Sequence, residues 1–172
     1  LTFEGDIEIT MEANPGTFEA EKFKGFRQAG INRLSIGIQS FNTQHLDILG
    51  RVHSSEQAIA AAEFAHQAGF NSFNLDLMHG LPNQSVDQAL QDLQTAIDLN
   101  PKHLSWYQLT LEPNTHFYQK PPTLPQDETL WDIQEAGQKL LADNGFEQYE
   151  ISAYSKGLKH QSRHNLNYWQ FG

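Results

Sequence analysis

The chain contains no cysteine among its 172 residues. This absence excludes a disulfide, a thiolate metal site and a cysteine nucleophile within the sequence as given. The sequence also lacks an apolar run long enough to span a bilayer and a charged-then-apolar signal segment. The cytoplasm is therefore the expected location, and membrane association stays open as an alternative.

Positive charge is scarce, with 11 Lys and Arg against 21 Asp and Glu and a formal net charge of -10. Nucleic acids and anionic membranes bind basic surfaces, so neither is expected as the main partner. Apolar residues make up 38% and aromatic residues 11% of the chain, which predicts a packed globular domain. The length is sufficient for one domain with a sizeable core.

Four strand-like runs each end in a polar residue just before a turn and a helix, and they span residues 7–12, 34–39, 73–78 and 106–111. The helices between the runs are long enough to cross over, which predicts parallel strands. Parallel β/α barrels gather function at the C-terminal ends of their strands. The residues expected at this rim are Glu12, Gln39, Asp76 and Thr110.

A repeated pattern favours the same architecture. Residues 28–37 resemble residues 67–76, and residues 143–151 form a weaker third copy. Each copy has a helix end, a glycine suited to the left-handed conformation, an apolar residue and then a strand. Start signals for the intervening helices are Thr17, Ser55 and Ser85. We therefore predict an α/β fold, a partial parallel β/α barrel.

The strands alternate in polarity, so their two faces can be assigned. One face carries apolar residues and is expected to pack under helices. The other face carries Glu8, Thr10, Glu12, Ser35, Gly37, Gln39, Asn74, Asp76, Trp106, Gln108 and Thr110. Barrel interiors are normally filled with branched apolar side chains, so a polar inner face predicts a hydrated lumen that holds a ligand. Two alternatives stay open: an antiparallel sheet with one wet face, and polar groups that bond one another without a ligand.

The rim residues suit a polar ligand. The carboxylates of Glu12 and Asp76 can accept hydrogen bonds from amines or hydroxyls, and Gln39 offers a neutral amide. Arg51, after a short helical turn, presents a planar fork suited to a carboxylate. A metal-dependent barrel enzyme using Glu12, Asp76 and His79 is an alternative, although no ligand spacing is diagnostic.

The segment His164–Trp169 combines an imidazole with two large aromatic side chains. Haem binding uses this combination, with imidazole on the iron and aromatic rings against the macrocycle. Packing of the same residues at the edge of a domain is the simpler alternative.

The chain as a whole resembles a known family, and the resemblance covers nearly its entire length. The segments that carry it are Glu12–Pro15, Leu34–Phe41, Asn74–Leu77 with Gly80–Pro82, and Leu104–Ser105. In order and spacing they resemble the radical S-adenosylmethionine (SAM) proteins of the oxygen-independent coproporphyrinogen III oxidase family. The segment His164–Trp169 matches the pattern of the HemW-type haem chaperones within that family.

The resemblance implies a TIM-barrel-like radical SAM fold, truncated at its N-terminus, with SAM across the strand C-termini. The residues implied to contact SAM are Glu12, Gln39, Arg51 and Asp76, with Thr110 nearby. His164 becomes the candidate haem ligand. Residues 1–158 are expected to form the C-terminal portion of the barrel, and residues 159–172 to begin a haem-associated segment.

The function implied is that of a haem chaperone that passes haem to respiratory proteins. The alternative is a coproporphyrinogen III oxidase, which decarboxylates a porphyrinogen by radical SAM chemistry. The family's three cysteines for a [4Fe–4S] cluster and its glycine-rich SAM-binding strand are missing here, and we expect both upstream. The sequence as given is therefore expected not to cleave SAM. An exposed edge strand at residues 7–11 is expected to allow self-association.

Overall fold

The computed structural model describes residues 5–16 and 20–170. Six strands form one sheet in the order β1-β2-β3-β4-β6-β5. The strands are β1 (Thr10–Ala13), β2 (Arg33–Gln39), β3 (Phe73–His79), β4 (His103–Gln108), β5 (Glu147–Glu150) and β6 (Ala153–Ser155). The helices are α1 (Ala20–Gln28), α2 (Thr43–Ile48), α3 (Ser55–Gln67), α4 (Val86–Asp98), α5 (His116–Gln119), α6 (Asp127–Asp143) and α7 (Arg163–Trp169), with a 3-10 turn at Leu158–His160.

Strands β1 to β4 run parallel to one another, which confirms the predicted α/β fold with a mostly parallel sheet. The last two strands differ from the prediction, because β6 runs antiparallel to both β4 and β5. Only Ile151 and Ser152 connect β5 to β6, and so short a connection permits a hairpin but no helical crossover. The third copy of the repeat therefore ends in a hairpin, which the sequence pattern did not reveal.

The bounds of two strands also differ from the prediction. Strand β1 begins at Thr10 rather than at residue 7, because the Asn32 side chain occupies the backbone groups that a neighbouring strand would use. Asn32 accepts from the Ile9 N–H at 2.8 Å and donates to the Ile7 carbonyl at 2.7 Å. Strand β4 begins three residues earlier than predicted and ends at Gln108, so Thr110 lies beyond it.

The helix ends follow the local chemistry of the sequence. Ser85 and Gln88 form the capping box expected at the start of α4. The cap of α3 is Ser54, one residue before the predicted Ser55. The predicted cap at Thr17 lies outside the described residues. Glycines 30, 69 and 145 follow α1, α3 and α6 with φ of 104°, 80° and 77°, which is the conformation that the repeat predicts.

The apolar face of the sheet packs under the helices. The core residues of β2 and β3 are each at most 1% exposed and comprise Leu34, Ile36, Ile38, Phe73, Leu75 and Leu77. Burial of each such side chain stabilises the fold by roughly 1.5–3 kcal/mol. Small residues of α3, Ala58, Ala61, Ala62 and Ala65, are buried against the same core.

The assignment of Trp106 and Gln108 to the polar face is wrong. Trp106 is 3% exposed and packs in the helix-covered core, where it meets Gly137 of α6. Alternation along β4 places Gln108 on the same side and turns Ser105 and His103 toward the polar face. The sheet thus presents one apolar face to the helices and one polar face to a cavity. No described helix has the length and the apolar composition needed to cross a membrane.

Candidate functional site

The polar face of the parallel strands borders a cavity of about 1030 Å³. Its sheet wall comprises Thr10, Glu12, Arg33, Ser35, Asn74, Asp76, His103 and Ser105. Residues of α7 and the residue before it form much of the opposite wall. The predicted polar inner face is therefore confirmed, and β4 contributes to it through residues other than those predicted.

Asp76 lies at the centre of the sheet wall. Ser35 Oγ donates to Asp76 Oδ2 at 2.8 Å, and Asn74 Nδ2 donates to Asp76 Oδ1 at 2.7 Å. Burial raises the pKa of Asp76, and the charge of Glu12 adds to the rise, whereas hydrogen bonds from Ser35, Asn74 and Ser105 oppose it. Asp76 is thus a carboxylate held in a fixed orientation at an energetic cost, as is common for groups that bind ligands.

A second group of polar residues lies nearer the N-terminal ends of the strands. His103 Nδ1 is 2.6 Å from Asn74 Oδ1, and His103 Nε2 is 2.6 Å from the Tyr149 hydroxyl. Burial lowers the pKa of His103 to about 3, and the charges of Arg33 and His160 contribute in the same direction. The imidazole is therefore neutral at physiological pH. Sequence analysis did not identify Tyr149 or His103, which lie 46 residues apart and meet only through the β5–β6 hairpin.

Helix α7 closes the cavity at the N-terminal ends of the strands. The Arg163 N–H donates to Glu8 Oε1 at 2.9 Å, and its guanidinium pairs with Asp6 at 2.9 Å. His164 lines the cavity from this helix, while Tyr168 and Trp169 are 69% and 51% exposed. The segment associated with haem by resemblance thus lies at the end opposite to the strand C-termini. The sequence identified the segment but not its position.

Gln39, Arg51 and Asp76 converge on Tyr107, another residue that sequence analysis did not identify. Gln39 is 4% exposed with φ of 66°, and its Nε2 donates to the Tyr107 hydroxyl at 3.3 Å. Burial raises the pKa of Tyr107 and the charge of Asp76 raises it further, while Gln39 and the charge of Arg51 oppose the rise. Gln39 Oε1 is buried with no hydrogen-bond partner among the described residues. Correct alternation on β4 would have placed Tyr107 beside Ser105 on this face.

Thr110 stands apart from these groups. It is exposed two residues beyond β4, and its hydroxyl donates to Glu112 Oε1 at 2.8 Å. Of the six residues predicted to bind ligands, Glu12, Asp76 and His164 line the cavity. Gln39 and Arg51 do not line it, and both are linked to Asp76 through Tyr107, Gln39 by its hydrogen bond and Arg51 by its charge.

The alternative metal site of Glu12, Asp76 and His79 is wrong. His79 is on the helix-covered face, where the centroids of its ring and the Trp106 ring are 4.2 Å apart. Asp76 faces the cavity on the other side of the sheet. Burial lowers the pKa of His79 to about 4. The described part of the chain contains no group of three side chains placed to hold a metal ion.

Comparisons with known sequences agree on one family. The model of the radical SAM superfamily matches residues 1–96. The chain is 59% identical to the heme chaperone HemW of Haemophilus influenzae over 172 residues, covering all of this chain and 45% of that protein. It is 58% identical to the HemW of Escherichia coli with the same coverage, and 40% identical to that of Bacillus subtilis over 94% of this chain and 44% of the relative. The chain thus spans less than half the length of these relatives.

Solved structures show the same fold. The coproporphyrinogen III oxidase HemN from Escherichia coli, described as a radical SAM enzyme, superposes with a TM-score of 0.83 at 26% identity, over 98% of this chain and 39% of that one. The archaeal Elp3 of Methanocaldococcus infernus shares the fold at 18% identity, with a TM-score of 0.68 over 78% of this chain and 33% of that one.

Proposed function

The chain belongs to the radical SAM superfamily, and from this membership we propose that it is part of a haem chaperone that binds SAM at the strand C-termini and haem near His164. The observation that carries the proposal is 58–59% identity to two HemW proteins along the whole chain. Because the chain spans 45% of those relatives, the activity is proposed for the full-length protein.

The residues proposed to bind SAM suit it chemically. Asp76 and Glu12 offer carboxylates to the amino group or hydroxyls of SAM, and Arg51 offers a guanidinium to its carboxylate. Gln39 contributes a buried amide oxygen that has no partner among the described residues, as expected of a group awaiting a ligand. Thr110 would act at most from the periphery. With a [4Fe–4S] cluster, SAM supplies radical chemistry in this superfamily, and this cysteine-free sequence would leave the cluster ligands to other parts of the protein.

The residues of α7 fit haem. His164 is exposed to the cavity and can present an imidazole nitrogen to iron. Tyr168 and Trp169 lie edge to face with ring centroids 5.6 Å apart, and their exposed rings offer apolar surface to a macrocycle. Within this proposal, residues 1–158 form the barrel portion and residues 159–172 begin the haem-associated segment.

Haem titration of the full-length protein tests the proposal. We expect a saturable shift of the Soret band that His164→Ala weakens at least tenfold, because the iron would lose its axial ligand. His116→Ala is the matched control, since His116 is an exposed histidine on α5, away from the cavity. Equal haem affinity in the two variants would contradict the role of His164.

The second candidate function is that of an oxygen-independent coproporphyrinogen III oxidase, which the superposition on HemN favours. Turnover of a porphyrinogen by the full-length protein would favour it over the chaperone. Finer expectations belong to the chaperone proposal: respiratory proteins as haem recipients, a cytoplasmic location with or without membrane association, and self-association through β1. Strand β1 ends the sheet among the described residues, so its free edge can accept another strand.

A further inference from the structure

A continuous set of hydrogen bonds crosses the cavity wall from α7 to Asp76. Starting at α7, the Ser162 N–H and the Asn165 Nδ2 donate to the Tyr149 hydroxyl at 3.0 and 3.2 Å. The Tyr149 hydroxyl oxygen lies 2.6 Å from His103 Nε2, and His103 Nδ1 lies 2.6 Å from Asn74 Oδ1. Asn74 then donates to Asp76 at 2.7 Å. We call Tyr149, His103 and Asn74 the relay.

The Asp76 end of the relay fixes the direction of every hydrogen bond. The carboxylate of Asp76 can only accept, so Asn74 must turn Nδ2 toward it and toward Ser35 Oγ at 2.9 Å. Asn74 Oδ1 then faces His103, whose Nδ1 must carry the proton. In the neutral imidazole Nε2 is left as an acceptor, so the Tyr149 hydroxyl donates to it.

The α7 end gives the same direction independently. The backbone N–H of Ser162 can only donate, and with Asn165 Nδ2 it occupies both lone pairs of the Tyr149 oxygen. The Tyr149 proton is therefore free to point at His103 Nε2. Because both ends require the same tautomer, the docking of α7 and the orientation of Asn74 stabilise each other.

We propose that Tyr149, His103 and Asn74 are positioning residues through which the docking of α7 restrains the hydrogen bonding of Asp76. The inference rests on the proposed function, in which Asp76 binds SAM and α7 carries the haem ligand. When α7 leaves, the Tyr149 hydroxyl loses two donors, and the constraint on the His103 tautomer is released. The Asn74 amide is then held only by its hydrogen bonds to Asp76, Ser35 and Ser105, so its orientation toward the Asp76 carboxylate is less restricted.

The first test is the protonation of His103 in the full-length protein. Nitrogen-15 NMR of the histidine rings should show Nδ1 protonated and Nε2 unprotonated, with the signal assigned by its absence in His103→Gln. A protonated Nε2 would overturn the inference, because the relay could not then have the direction described. This readout does not depend on SAM.

The second test is SAM affinity, measured by equilibrium dialysis. Tyr149→Phe should weaken SAM binding about threefold to tenfold, because the variant loses the three hydrogen bonds of the hydroxyl and with them the link between α7 and His103. Tyr154→Phe is the matched control and should change it less than twofold, because Tyr154 is a buried tyrosine of the adjacent strand β6 that packs in the helix-covered core. If Tyr149→Phe folds poorly, Asn165→Ala makes the same test from α7, because its Nδ2 is one of the two donors to the Tyr149 hydroxyl, and Tyr154→Phe stays the control.

The outcomes separate the two proposals. If SAM binds and Asp76→Asn weakens it while both tyrosine variants bind equally, the relay is overturned and the proposed function stands. If the unmodified protein does not bind SAM, the proposed SAM site fails, and the His103 tautomer alone decides whether the relay has the direction inferred. Weaker SAM binding in Tyr149→Phe but not in Tyr154→Phe, together with a proton on His103 Nδ1, establishes the relay.

Discussion

Gly137 of α6 lies directly against the indole of Trp106 on β4. A Cβ atom built at position 137 would overlap the indole ring, so helix and strand approach as closely as they do because this position has no side chain. Trp106 also lies against the His79 ring, with centroids 4.2 Å apart. These contacts fix β4 under α6 and thereby turn Ser105 and His103 toward the cavity.

Gly137→Ala should therefore destabilise the protein, although alanine normally favours a helix. Overpacking of this kind costs about 1–3 kcal/mol, which outweighs the propensity gain of up to about 1 kcal/mol. Gly25→Ala is the matched control, because a Cβ atom at Gly25 in α1 would meet no atom within 4 Å, and it should stabilise. Urea unfolding followed by circular dichroism measures both changes. Equal stabilisation by the two substitutions would show that the indole can move aside.

Much of the fold could be predicted because its signals are local. Crossover helices between apolar runs require parallel strands, and Ser85 with Gln88 marks the start of α4 within four residues. The face of Trp106 could not be predicted, because the run from Leu104 to Leu109 does not alternate cleanly in polarity. Packing against Gly137, 31 residues later, decides that face.

The same distinction applies to the candidate site. Glu12 and Asp76 end or interrupt apolar runs, so their place at the cavity followed from strand alternation. Tyr149, His103 and Ser162 could not be predicted, because each lies on a different element and the hairpin of β5 and β6 brings them together. Tyr149 and Ser162 also lie toward the N-terminal ends of the strands, whereas the predicted site was at the C-terminal ends, so no local pattern connected them with Asp76.

The protein should lose stability in mild acid through its buried histidines. Burial lowers the pKa of His79 to about 4, below the ordinary value of 6.5. Between these values the unfolded chain binds a proton that the folded chain does not, so stability falls as the pH drops below about 6.5. His79 alone should account for about 2 kcal/mol between pH 7 and pH 5.

His79→Phe tests the contribution of this histidine, because phenylalanine keeps an aromatic ring against Trp106 and cannot be protonated. The loss of unfolding free energy between pH 7 and pH 5, measured in urea, should be about 2 kcal/mol smaller in the variant than in the unmodified protein. The remaining loss should include His103, whose pKa burial lowers to about 3. An unchanged loss in His79→Phe would mean that His79 is accessible to protons in the folded state.

Asp76→Asn should separate stability from ligand binding. Because the folded-state pKa of Asp76 is raised by burial, folding becomes less favourable as the pH rises above the ordinary value of 3.8, and the penalty persists at neutral pH. Asparagine removes the buried charge and can still accept from Asn74 and donate to Ser35. We therefore expect an unchanged or slightly higher melting temperature at pH 7, together with SAM binding at least tenfold weaker, because a charge-assisted contact to the ligand is lost.

Asp87→Asn provides the control for Asp76→Asn, since it removes the same charge from the exposed first turn of α4. It should leave SAM affinity unchanged and lower stability by about 0.3–1 kcal/mol through the helix dipole. A clear loss of stability in Asp76→Asn would show instead that the carboxylate is needed to hold β2 and β3 together, and that its cost is offset within the fold rather than by a ligand.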